Sequence, residues 1–147
     1  KEDINLQYGK GQILKEGSKD GNNAGGNVAI IAVGSMVEET YKAIDMLEKE
    51  NVHPAFINPV FIKPMDTELI KRVAENHKHI IVVEEGIKKG GFGESVETFI
   101  LESGIDADVQ VMAIDDRFVE QGNVALLREE IGISYKNIYE KVMELTR

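Results

Sequence analysis

Four short apolar runs punctuate the chain: Val28–Val33, Ala55–Val60, Ile80–Glu84 and Val109–Ile114. Each is rich in Val and Ile and shows no clean polar alternation, the pattern of strands buried on both faces of a parallel sheet. Between them apolar positions recur at helical spacing. In Met36–Glu50 the residues Val37, Tyr41, Ile44 and Leu47 predict one buried stripe, with Glu38, Glu39, Lys42, Asp45 and Lys49 mostly off it. Ser35 followed by Glu38 reads as a capping box that opens this helix directly after Gly34. Pro64 and Asp66 set up a second helix, with Asp66 as N-cap, Glu68 facing the positive end of the dipole, and Leu69, Ile70 and Val73 inward. A third is expected from about Glu94 to Ser103, carrying Val96, Phe99 and Ile100 and stopped by Gly104. A fourth is expected over Asn123–Glu130, and a last one from Ser134 with Ile138, Val142 and Leu145 on one face. The order β-α-β-α-β-α-β-α-α predicts right-handed crossovers and a three-layer α/β/α sandwich. Gln12–Leu14 reads as an additional edge strand.

The segment Ser18–Asn27 breaks the pattern. Gly, Asn and Asp dominate it and nothing in it can anchor a core, so a flexible loop is expected between the edge strand and Val28. The total of 147 residues fits a single domain over 1–147, at roughly 100–200 residues per domain. Charge narrows the partners. With 17 basic and 26 acidic side chains the formal net charge is −9, and no basic stripe is visible for a nucleic-acid backbone. The absence of cysteine excludes a disulfide framework, a thiolate nucleophile and Cys-ligated zinc. The apolar runs are far short of the roughly 20 residues a membrane span needs. Lys1–Asp3 look like an arbitrary cut with no leader, and a soluble, cytoplasmic protein is expected.

The most conspicuous chemistry lies in Glu84–Ser95, EEGIKKGGFGES, after a strand and before a helix. An open parallel sheet places its ligand crevice at such a junction. Gly90, Gly91 and Gly93 permit positive φ and close backbone approach, and the N–H groups opening the next helix can receive an anion. The competing reading is a tight loop packed against a neighbouring domain or subunit, with Phe92 as its apolar anchor. The flanking Glu84, Glu85 and Glu94 favour that interface reading over phosphate binding. The candidate interface loop is therefore Glu84, Glu85, Gly90, Gly91, Phe92 and Gly93.

Other features point to ordinary structure. Gly9-Lys10-Gly11 lacks the spacing of a phosphate loop, and Val33-Gly34-Ser35 is a strand-to-helix turn. His53, His77 and His79 show no metal-ligand spacing and read as solvated. Glu84 and Glu85 are adjacent on a strand and so face opposite ways, which excludes a shared-proton pair between them. Asp115–Asp116 is the other acidic pair. The scattered methionines Met36, Met46, Met65, Met112 and Met143 read as core filler. No nucleophile–base pair or metal cluster can be placed, so no catalytic, cofactor or metal residue is assigned.

Several motifs together are more specific. INPVFIKPMD (Ile57–Asp66), IIVVEEGIKKGGFGESV (Ile80–Val96) and DDRFVEQG (Asp115–Gly122) follow in order, preceded by YGKGQILKEG (Tyr8–Gly17) and VAIIAVGSMV (Val28–Val37). This set resembles the C-terminal domain of the 1-deoxy-D-xylulose-5-phosphate synthase family over Tyr8–Arg147, with EEG-x-x-x-GGFG the most diagnostic block. The resemblance implies a transketolase C-terminal-like fold: a mainly parallel five-stranded sheet with one antiparallel edge strand. It implies a parent enzyme that condenses pyruvate with glyceraldehyde 3-phosphate, with decarboxylation, using thiamine diphosphate and magnesium. That parent is a homodimer serving isoprenoid, thiamine and pyridoxal synthesis.

The family's Gly-Asp-Gly cofactor motif and activating glutamate do not lie within this chain. Lys19-Asp20-Gly21-Asn22-Asn23 is only a lookalike, since it lacks the first glycine. The resemblance therefore carries no cofactor or catalytic residue onto any position, and the fragment is expected to pack and support a dimer. Its partners are the remaining domains of the parent. Val60 stands where the family has Arg, Gln121 where it has His, and Ser18–Asn27 is longer than the family's turn. Alternatives are a partner-docking C-terminal domain of a 2-oxo acid dehydrogenase beta subunit, a split transketolase, or a free-standing flavodoxin-like nucleotide binder.

Overall fold

The computed structural model describes residues 7–18, 25–114 and 132–146. Its five strands are β1 (Gln12–Lys15), β2 (Val28–Ala32), β3 (Ala55–Asn58), β4 (His79–Ile87) and β5 (Asp108–Ile114). The described helices are α1 (Met36–Lys49), α2 (Thr67–Asn76), α3 (Phe92–Glu102) and α4 (Tyr135–Thr146). The strands form one sheet in the order β1-β3-β2-β4-β5. β1 pairs antiparallel with β3, and the other three pairings are parallel. The mixed five-stranded sandwich expected from the sequence is the fold observed.

Each face of the sheet buries its own core. On one side Val28, Ile30, Ile81 and Val83 pack with Met36, Ile44 and Leu47 of α1 and with Ile138 and Val142 of α4. On the other, Ala29, Ile31, Ile80 and Val82 pack with Leu69, Ile70 and Val73 of α2 and with Val96 and Ile100 of α3. β2 is buried along its whole length, which is why its sequence carries no polar alternation. Met65, Met112 and Met143 pack against these two cores, and Met36 lies inside one.

Several expectations are corrected in detail. Ser35 makes no side-chain cap. It sits in helical conformation, and its hydroxyl donates to the Glu85 carboxylate on β4. The opening turn of α1 is made by backbone instead, with Met36 N–H donating to Val33 O and Val37 N–H to Gly34 O. The buried stripe of α1 is Met36, Glu39, Thr40, Ala43, Ile44 and Leu47, whereas Tyr41 is 39% exposed and lays its ring edge against Phe56. Glu39 is buried because its carboxylate accepts the Tyr135 N–H at 2.9 Å, capping α4 from another element.

β3 stops at Asn58, short of Val60. Pro59 has no N–H to pair, the Asn58 side chain accepts from Val60 N–H at 2.9 Å, and Val60 turns to φ 62°. For a β-branched residue that is a strained conformation. Asp66 does cap α2, accepting from Leu69 N–H at 3.2 Å. Its second oxygen accepts from Gly11 N–H at 2.9 Å, tying the entry of the edge strand to the same helix.

The histidines are partly exposed, as expected, and each has a polar neighbour. His77 Nδ1 meets Val73 O at 2.7 Å, His79 Nδ1 meets Asp108 Oδ2 at 3.3 Å, and His53 Nε2 meets Asn51 Oδ1 at 3.1 Å. Asn123–Glu130, Asp115–Asp116, Gln121 and the centre of the Ser18–Asn27 loop lie outside the described residues.

Candidate functional site

β2 leads through α1 to β3 on one side, and β3 leads through α2 to β4 on the other, so strand order reverses between β2 and β4. A crevice outside the carboxyl ends of strands is expected at such a point. A cleft of about 420 Å³ occupies it, lined by Val33, Ser35, Ile62, Glu84, Glu85 and Phe92 among others. Two of the exposed large hydrophobic residues, Ile62 at 50% and Ile87 at 43%, also line it.

β4 continues to Ile87, three residues beyond the sequence expectation, and α3 begins at Phe92, two residues before it. The loop between them is therefore short and its conformation tightly determined. Glu84 is 5% exposed and points under this loop, where its carboxylate accepts the Gly93 N–H at 2.5 Å. Glu85 faces the other way and receives the Ser35 hydroxyl, as adjacent strand residues must. Gly90 adopts φ 74°, and its N–H donates to Glu94 Oε1 at 2.8 Å. Phe92 is buried against Ala29, Ile31 and Val96 on the α2–α3 face.

The three glycines have different reasons. Gly90 needs the left-handed backbone. A Cβ on Gly91 would fall on Glu84 Oε1 and come within 2.6 Å of Ile87 O. One on Gly93 would meet both γ-carbons of Val111 on β5 and lie 3.1 Å from Glu84 Oε2. Glu84, Glu85, Gly90, Gly91, Phe92 and Gly93 are thus brought together, with all but Gly93 lining the cleft.

Burial pushes the Glu84 carboxyl above its ordinary value; the Gly93 and Phe92 N–H groups oppose the rise and Glu94 adds to it. Its acceptor atoms occupy the start of α3, where an external anion would otherwise be received. Sequence reasoning missed Ser35 and Ile62 as members of the site. Ser35 had a competing local role as a cap, and Ile62 is a lone apolar residue in a loop. Among the described residues no group of three or more His, Cys, Asp or Glu side chains is placed to hold a metal ion.

The chain has relatives of known name. The chain is 36% identical over 143 residues to the 1-deoxy-D-xylulose-5-phosphate synthase of Dehalococcoides mccartyi strain 195, covering 96% of this chain and 21% of that protein. It is 37% identical over 137 residues to the synthase of Alkaliphilus oremlandii, again covering 21% of it. The chain therefore spans about a fifth of the length of these relatives. Among solved structures, a split-gene transketolase described as an inactive beta4 tetramer superimposes with a TM-score of 0.83 at 26% identity, over 99% of this chain and 46% of that one. A 2-oxoglutarate:ferredoxin oxidoreductase from Magnetococcus marinus shares the fold alone, with a TM-score of 0.60 at 18% identity. The family model for the transketolase C-terminal domain matches residues 13–138, and the chain belongs to that family.

Proposed function

We propose that this chain is the C-terminal domain of a 1-deoxy-D-xylulose-5-phosphate synthase. The parent condenses pyruvate with glyceraldehyde 3-phosphate, with decarboxylation, as a cytoplasmic homodimer. The observation that carries this reading is the 36% identity along nearly the whole chain to about a fifth of a synthase. Within the parent the domain packs and supports the dimer, and it is inactive alone. The chain is a single domain.

The loop Glu84–Gly93 and its cleft are the surface turned toward the rest of the enzyme. Exposed Ile62 and Ile87 beside the cleft support this, since apolar side chains at a rim of polar groups mark interaction sites. Thiamine diphosphate and magnesium belong to other regions of the parent. The described residues do not fit them: no metal-donor set converges, and the start of α3 already holds the Glu84 carboxylate. The cofactor would supply the carbanion chemistry when bound in the parent. This chain's own residues shape and hold a docking surface.

Two outcomes test the reading. Titration of the 147-residue chain with thiamine diphosphate and magnesium by calorimetry is expected to give no saturable signal; micromolar binding overturns it. The reading frame upstream of Lys1 is expected to continue into a Gly-Asp-Gly motif. A split transketolase is the second reading, favoured by the 0.83 superposition on a split-gene protein. An upstream frame that makes a chain about twice this length, and that begins after any Gly-Asp-Gly motif, would select it.

A further inference from the structure

The loop between β4 and α3 is shaped around a side chain of the strand that precedes it. Gly93 N–H donates to Glu84 Oε2 at 2.5 Å, and Gly90 N–H donates to Glu94 Oε1 at 2.8 Å. The Glu94 contact is at the surface, whereas Glu84 is 5% exposed on a strand hydrogen-bonded on both sides. Gly91 and Gly93 leave the room this carboxyl occupies, because a Cβ on either would collide with it or with Val111. Loop and carboxyl are fitted to each other.

We propose that Glu84 is the positioning residue of the 88–93 loop. Its carboxyl fills the space beneath the loop and accepts the Gly93 N–H at the opening of α3. It thereby fixes the face presented at the cleft beside Ile62 and Ile87. The proposal concerns how the loop is held and is independent of what the loop meets in a parent enzyme, so either reading can fail while the other stands.

Ionisation of Glu84 bears on the same geometry. Burial raises its pKa, the Gly93 and Phe92 N–H groups oppose the rise, and Glu94 of α3 adds to it. Among the other charged groups nearby, Glu85 lies on the opposite face with Ser35, and Lys88 and Lys89 are exposed on the loop. β5 presents Val111, which does not titrate. A raised value means that the closed loop binds the proton more tightly than an opened one. Loop protection is therefore fullest below the ordinary carboxyl value of 4.5 and falls as pH rises through the raised value.

Amide hydrogen exchange on the 147-residue chain, read at residues 90–95 with the β2 amides as internal reference, tests this directly. Glu84→Ala is expected to lose about 10–100-fold of loop protection, the size of removing a charged acceptor from buried N–H groups, with β2 unchanged. Excess sodium formate is expected to restore the protection, and sodium chloride at equal ionic strength is not. Glu84→Gln keeps the volume and a neutral acceptor, so it is expected to hold the wild type's low-pH protection at every pH. Wild-type protection in Glu84→Ala, or equal effects of formate and chloride, overturns the proposal. If Glu84→Ala does not fold, identical pH profiles in wild type and Glu84→Gln overturn it.

Discussion

Gly93→Ala sets two effects against each other whose sizes can be compared. Gly93 is the second residue of α3, where alanine gains up to about 1 kcal/mol of helix propensity over glycine in the most favourable case. Against this, the new methyl would press on Val111 Cγ1, lie 2.9 Å from Val111 Cγ2 and 3.1 Å from Glu84 Oε2. Ordinary carbon contacts are about 3.5–4.0 Å, so something must move. Val111 cannot retreat easily, because β5 is paired to β4 at Val82↔Val111. Nor can Glu84, which is hydrogen-bonded to Gly93 itself. Overpacking of this kind costs about 1–3 kcal/mol, and the propensity gain is smaller.

The expected net loss is about 1–2 kcal/mol, read as a lower urea midpoint with unchanged slope, and as a Tm lower by roughly 3–6 °C. Removing the obstacle should remove the penalty. In a double-mutant cycle with Val111→Ala, the losses are expected to fall short of additive by about 1 kcal/mol or more. Gly34→Ala is the contrast: φ is 60° but nothing lies within 4 Å of the new methyl. It should cost about 1–2 kcal/mol through the backbone alone and show no coupling to Val111. A neutral Gly93→Ala, or an additive cycle, refutes the fit of the loop onto β5.

Thr40 is fully buried on α1, and its hydroxyl has no hydrogen-bond partner among the described residues. Thr40→Val is therefore expected to stabilise the chain by about 1–2 kcal/mol in urea unfolding; a loss would reveal a partner for the hydroxyl. Asp66→Ala removes the α2 cap and the acceptor of Gly11 N–H together. Its expected cost is about 2 kcal/mol, with Asp66→Asn recovering part of it, and equal losses in both variants would show that charge alone matters. Asp108 is held below its ordinary value of 3.8 chiefly by the Gln110 side chain; burial opposes this, and His79 and Lys141 lower the value further. Its stabilisation is present above that value and lost as pH falls through the lowered one, so Asp108→Asn should flatten the acid limb of a stability–pH curve.

Much of the fold was legible because the strands are continuous apolar runs that only a doubly covered sheet can bury. The misreadings share a physical cause. In α1 two helical registers overlap at Ile44 and Leu47, and the local pattern alone favoured the one through Val37 and Tyr41. The register observed buries Glu39, whose partner Tyr135 lies 96 residues away, and no local pattern contains that information. Ser35 likewise has the right neighbours for a capping box, yet its hydroxyl goes to Glu85, 50 residues on. The three glycines after β4 lie with Phe92 in one short loop and helix start, beside Glu84 of β4. The need for glycine at 91 and 93 depends on Glu84, Ile87 and Val111, which only the folded chain brings against them.

The same geometry weakens the nucleotide-binding alternative on grounds of chemistry. A phosphate site at this switch point would draw on the N–H groups that open α3, with glycines allowing close approach. Here Gly93 N–H already donates to a carboxylate of the chain, and Gly91 makes room for that carboxylate's other oxygen. An incoming phosphate would have to displace Glu84 from its buried position and approach past Glu85 and Glu94. The glycines that first pointed to an anion cradle are accounted for by an anion built into the fold. What the loop leaves exposed at the cleft, Ile62 and Ile87, is apolar. That combination suits a protein surface far better than a phosphate.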